Sequence, residues 1–136
     1  MKFHKESLKI DAAKVADQLC QSILTQIRDD LKKGGAVIGI SGGIDSSVCA
    51  ALCARALGPH KVLGIMMPEK ESAGESKTLA QKLGENFGFE TTLENISGGL
   101  EGMGCYQRRD EAIRKVFPEF DSSYTCKITI PTNILE

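Results

Sequence analysis

The 136-residue sequence predicts an α/β domain: a parallel sheet with helices on both faces. Three observations lead there. Short apolar runs bounded by Gly or Pro recur, and segments with helical spacing separate them. A Gly-Gly step follows the first of these runs and opens a helix. Hydrophobic residues make up 41% and charged residues 26%, the balance of a globular chain with a buried core.

The elements follow in order. Leu8, Ala12, Val15, Leu19, Ile23, Ile27 and Leu31 recur at helical spacing, with polar residues between them. They predict one amphipathic helix over Leu8–Leu31, stopped by Gly34-Gly35, with Lys32 and Lys33 suiting the negative end of its dipole. Ala36–Ile40 is too short for a helix and is apolar throughout, so it reads as a strand buried on both faces. Val48–Leu57 is alanine-rich and reads as a mostly buried helix ended by Gly58-Pro59. Lys61–Met67 is a second strand, Glu75–Phe87 a helix ended by Gly88, and Phe89–Leu93 a third strand. Beyond Ile96 the pattern weakens. Ser97–Gly104 reads as a glycine-rich loop, Arg108–Phe117 as a polar helix and Lys127–Ile130 as a strand.

Composition excludes several classes. Seventeen basic and 18 acidic residues give a formal charge of −1, without the basic excess of a general nucleic-acid binder. No apolar run approaches the ~20 residues that span a bilayer, and no h-region follows Met1. The expectation is a cytoplasmic protein acting on neither nucleic acid nor membrane. Five cysteines, with no C-x-x-C pair, fit reduced thiols better than a disulfide framework or a zinc ribbon.

The chemistry concentrates in Ser41-Gly42-Gly43-Ile44-Asp45-Ser46-Ser47, between a strand and a helix. Adjacent glycines let backbone N–H groups approach an anion. The helix start adds unpaired N–H groups and partial positive charge. Ser41, Ser46 and Ser47 add hydroxyl donors. Asp45 alone would repel phosphate, but Mg²⁺ takes oxygens from carboxylate and phosphate together. The loop therefore suits a metal–polyphosphate complex. A Walker A loop is excluded because no Lys follows the glycines, and the G-x-G-x-x-G fingerprint is absent. A plain turn with a capping Asp or Ser is the alternative for Asp45 taken alone.

Other candidates read blandly. Cys49 and Cys53 share a face of an alanine-rich helix and read as packing residues. Cys105, near Arg108 and Arg109, is a lone loop cysteine. His4 and His60 lack spaced partners and read as surface residues, Lys70 as an exposed loop lysine, and Ser72 and Ser76 as helix caps.

Ser-Gly-Gly-x-Asp-Ser after a buried strand resembles the signature of the PP-loop ATP pyrophosphatases, and among them the NAD synthetases. Gly39-Ile40-Ser41-Gly42-Gly43-Ile44-Asp45-Ser46-Ser47 fits their loop. Ala50-Ala51-Leu52, Ala56-Leu57-Gly58, Met66-Met67-Pro68 with Ser72 and Ser76, Leu79-Ala80 and Leu83-Gly84 fit its surroundings. The similarity runs from about residue 10 to 96. It implies an adenine nucleotide alpha-hydrolase-like, Rossmann-like three-layer α/β/α fold, here incomplete. Residues 1–136 would form one such domain, the N-terminal part of a longer one, with 97–136 a substrate-side or insertion segment.

The resemblance also implies function. ATP would bind along Gly39, Ile40, Ser41, Gly42, Gly43, Ile44, Asp45, Ser46 and Ser47, with adenine near Met66 or Met67, mainly through their backbone. Asp45 would hold Mg²⁺. A carboxylate, with deamido-NAD as acceptor, would be adenylated with release of pyrophosphate. Ammonia, free or from a separate glutaminase, would then form the amide, and a homodimer is expected. The family's second metal-binding acid and acceptor site are not found in this sequence, and no catalytic residue is assigned. The rival readings are another PP-loop adenylating amidotransferase or thiolase, a non-catalytic ATP-binding module, and a universal-stress-like or flavoprotein-like binder independent of Mg²⁺.

Overall fold

In the computed structural model, residues 4, 9–72, 74–121, 123 and 124 are described. By contacts the chain divides into two compact units, Met1–Ile96 and Ser97–Glu136. Each is taken by itself.

The first unit opens with α1 (Ala12–Thr25), which runs into a π-helical turn at Gln26–Asp30. Asp11 caps it, its carboxylate accepting from the Lys14 N–H at 3.2 Å. That cap places the start at Ala12; Leu8 lies outside the described residues. The turn of the chain comes at Lys32, in the left-handed region at φ 52°, just before the expected Gly34-Gly35 stop. Then follow β1 (Ala36–Gly39), α2 (Ile44–Leu57), β2 (Val62–Met66), α3 (Gly74–Phe87) and β3 (Glu90–Leu93).

The three strands form one parallel sheet in the order β1-β2-β3. Ala36 pairs with Val62 and Gly39 with Ile65; Leu63 pairs with Glu90 and Met66 with Leu93. Val62, Gly64 and Met66 alternate on one face and are buried. Against that face pack Ala50, Ala54 and Leu57 from α2 and Ala80 from α3, with Ile40 and Phe89 completing the core. Ile23, Leu24 and Ile27 pack against its border. Alanines dominate the helix side of this core because α2 lies close to the strands.

The parallel α/β sheet is as expected. α2 and α3 both pack on the face of Val62 and Met66, for a topological reason. Strands laid down in consecutive order, each joined by a right-handed crossover, send successive helices to the same side. The opposite face carries Val37, Leu63 and Ile65. Val37 is 67% exposed, which corrects the expectation that this strand is buried on both faces.

Two further corrections concern helices. α2 starts at Ile44, not Val48, so Asp45, Ser46 and Ser47 belong to its first turn. It is also less buried than its alanines suggest, because Val48 and Cys49 face solvent. In the second unit, Ser97–Gly102 forms a short helix, α4, where a loop was expected. Met103 N–H donates to Gly99 O at 3.0 Å, so backbone bonding overrides the weak propensity of glycine there. The polar helix is α5, Cys105–Val116. Beyond it, Asp121 accepts from the Ser123 hydroxyl at 2.6 Å and its N–H at 2.8 Å. These bonds hold its carboxyl below the ordinary aspartate range. The expected strand Lys127–Ile130 lies outside the described residues. No helix among the described residues is long and apolar enough to cross a membrane.

Candidate nucleotide-phosphate site

The chain leaves β1 through Ile40, whose side chain is buried and whose N–H donates to Ile65 O at 2.9 Å. This anchors the next residues at the carboxyl end of the sheet, where parallel α/β sheets open their ligand crevices. Gly42 then adopts φ 78°, a left-handed conformation that costs a side-chain-bearing residue about 1–2 kcal/mol. Gly43, extended at φ −80° and ψ 162°, is the N-cap of α2 and supplies no side chain to it.

Hydroxyls fix the bend from inside. The Ser46 hydroxyl accepts from Ser41 N–H at 3.2 Å and donates to Gly43 O at 3.1 Å. Ser41 and Ser46 hydroxyls lie 3.1 Å apart, and Gly43 N–H reaches Ser41 Oγ at 3.3 Å. Ser47 donates to Gly43 O at 2.8 Å. The bonds to the Ser41 and Gly43 amides are long and join neutral groups. An anionic oxygen is a stronger acceptor for the same amides. The Ile44, Asp45 and Ser46 amides have no acceptor within the helix, the Ser47 N–H donates to Gly43 O at 3.1 Å, and the 14-residue helix adds positive potential at this end.

Ile44, 75% exposed, and Asp45 stand at the mouth of the loop. Among the described residues no cluster of three or more His, Cys, Asp or Glu is arranged to hold a metal. A lone exposed carboxylate among hydroxyls nevertheless fits Mg²⁺, which binds through one or two carboxylates and takes its remaining oxygens from phosphates and water.

Of the residues singled out in sequence, Ser41 to Ser47 form one surface bend, reached from Gly39 at the end of β1 through Ile40, whose side chain is in the core. Met67 joins them: its Cε lies 3.1 Å from where a Cβ on Gly39 would stand, and the residue is 51% exposed. Met66 does not join by its side chain, which is 4% exposed in the core, and its carbonyl accepts from Glu94 N–H at 2.8 Å. Alternation along β2 separates these two methionines, so neighbours in sequence take opposite roles. Ser72 closes a turn, accepting from Glu69 N–H at 3.0 Å through its hydroxyl. His60 is exposed, as read from sequence. It lines an open cleft of about 530 Å³ with Lys61, Val37 and Glu90. That cleft sits at the amino ends of the strands, opposite the Ser41–Ser47 loop. Of its lining residues sequence reasoning weighed only His60 as a functional candidate, since no motif marks the others.

The chain is similar to known proteins. The family model described as NAD synthase matches residues 15–116. The chain is 46% identical over 125 residues to an NH(3)-dependent NAD(+) synthetase of Rhizobium rhizogenes, covering 92% of this chain and 38% of that protein. It is 45% identical over 134 residues to the enzyme of the same description from Rhizobium meliloti, covering 98% and 40%. The solved NH3-dependent NAD synthetase of Campylobacter jejuni, in complex with the nitrate ion, superposes with a TM-score of 0.65 at 28% identity. It is matched over 72% of this chain and 42% of its own. The chain thus spans about two-fifths of the length of these curated relatives. With a family match across both units and a loop of the geometry just described, this chain belongs to the NAD synthase family.

Proposed function

We propose that the protein to which this chain belongs is an ATP-dependent amide-forming ligase. It adenylates the carboxylate of deamido-NAD, releases pyrophosphate, and transfers ammonia to the activated carbon. The observation that carries this reading is the Ser41–Ser47 bend, with a left-handed glycine, a helix start and an exposed carboxylate together. NAD synthetases among the relatives support the choice of acceptor.

Each residue has a role in this reading. The backbone of Gly39 to Ser46 lines the ATP phosphates, and the Ser41, Ser46 and Ser47 hydroxyls steer them. Met67 lies beside Gly39 at the edge of the adenine position, and Met66 contributes backbone only. Mg²⁺ held at Asp45 would neutralise charge on the departing pyrophosphate. Protein catalysis is then mostly positioning, because adenylation needs an aligned carboxylate and a stabilised leaving group. Ammonia arrives free or from a separate glutaminase, and the enzyme works as a cytoplasmic homodimer.

ATP–pyrophosphate exchange by the full-length protein tests this, using a panel of carboxylic acids with and without Mg²⁺. Exchange should require deamido-NAD and Mg²⁺ together. Exchange with every acid except deamido-NAD would reject the acceptor. ATP binding without AMP formation under any condition would reject the ligase in favour of a binding module.

Gly42→Ala gives a second, smaller test. Alanine must hold φ near +78° or the bend must open. The expected cost of about 1–2 kcal/mol corresponds to roughly a tenfold loss of ATP affinity by calorimetry. Unchanged affinity would mean that the bend is not where phosphate sits.

A further inference from the structure

Three of the five cysteines meet where α1 crosses α2. Cys20 and Cys53 are partly buried, and Cys49 is exposed. The Cys20 thiol donates to Leu52 O at 3.7 Å. That carbonyl belongs to the peptide joining Leu52 to Cys53. The O-to-N distance across a peptide is only ~2.3 Å, so the Cys20 sulfur lies within about 6 Å of the Cys53 nitrogen. An ion pair between Asp17 and Arg55 spans the same two helices.

We propose that Cys20 and Cys53 form a peroxide-responsive dithiol, which oxidation closes into a disulfide stapling α1 to α2. The pairing follows from geometry. Cys49 and Cys53 stand one helical turn apart, which sets their Cβ atoms about 5–6 Å from each other. A disulfide needs Cβ atoms roughly 3.5–4.5 Å apart, so that bridge would distort the helix. Cys20 approaches from a separate helix, so its pairing with Cys53 is not bound by the fixed spacing along one helix. Binding of a thiophilic metal is disfavoured, since no described group of three ligands is arranged for one.

The chemistry balances in two steps. Hydrogen peroxide oxidises the Cys20 thiol to the sulfenic acid, and the departing hydroxide takes the thiol proton to leave as one water. The Cys53 sulfur then attacks the Cys20 sulfur; the S–O bond breaks, and hydroxide leaves with the Cys53 proton as a second water. Burial pushes the Cys53 thiol up, with Cys49 and Cys20 adding to the shift. That shift makes Cys53 the poorer nucleophile toward peroxide, so the first step falls to Cys20.

The test uses the full-length protein, reduced, titrated with hydrogen peroxide, then alkylated and mapped by peptide mass spectrometry. The expected product is a Cys20–Cys53 linked peptide pair that dithiothreitol reverses. C49S should retain it, and C20S should lose it. Oxidation to sulfinic acid without any linked pair would overturn the proposal. So would a linkage of Cys49 to either partner as the main product. Mapping of the unsubstituted protein decides the question even if a variant folds poorly.

Discussion

Asp45→Asn in the full-length protein should lower ATP–pyrophosphate exchange by about 10²–10³-fold, the usual loss when one electrostatic partner of a developing charge is removed. Asparagine keeps the shape and the hydrogen-bonding oxygen of aspartate but cannot supply a full charge to Mg²⁺. The folded state should hardly register the change. Asp45 is exposed in the first turn of α2, where a carboxylate gains only about 0.3–1 kcal/mol from the helix dipole. Exchange kinetics and thermal unfolding on the same samples separate the two effects. A large fall in melting temperature would turn Asp45 into a structural cap, and undiminished exchange would remove it from the site.

Gly35→Ala should produce the largest loss of stability. A Cβ there would lie 2.3 Å from Lys61 O and 3.2 Å from Lys61 C. Both atoms are backbone, so no side chain can swing aside. Relief requires prying β1 from β2 next to the Ala36–Val62 pair. The expected cost is about 3 kcal/mol, at the upper end for overpacking, and melting should fall by several degrees. Gly34→Ala is the matched control. Nothing lies within 4 Å of its added methyl, so it should be neutral or slightly stabilising through the unfolded chain. Equal melting temperatures for both variants would show that the strands are not held as closely as described.

Much of this could be read before any coordinates. The five-element alternation from Ala36 to Leu93 emerged because strand runs and helix periods differ sharply in length and spacing. The loop emerged because its residues serve a local purpose, and local conformation is encoded locally. Long-range facts stayed hidden. Val37 reads like Ile38 in a window of five apolar residues, and only the strand order shows which face α2 and α3 cover. Cys49 reads as a core residue among alanines until the orientation of α2 turns it outward. Met66 and Met67 are indistinguishable by composition, and the pleat alone assigns one to the core and one to the loop. Ser97–Gly102 defeats propensity because backbone bonding, not side chains, holds that helical turn together.

The sequential strand order has a consequence for how such a sheet can be extended. Adding strands beyond β3 in the same sense would keep winding the chain on the side already clothed. Sheathing Val37 and Ile65 requires the winding to reverse, with the next strand laid along the flank of β1 that no described strand pairs. Reversal drives two neighbouring connections apart and opens a gap above the strand tips. The serine-lined bend would then form one wall of that gap, and whatever covers Val37 would help to build the other.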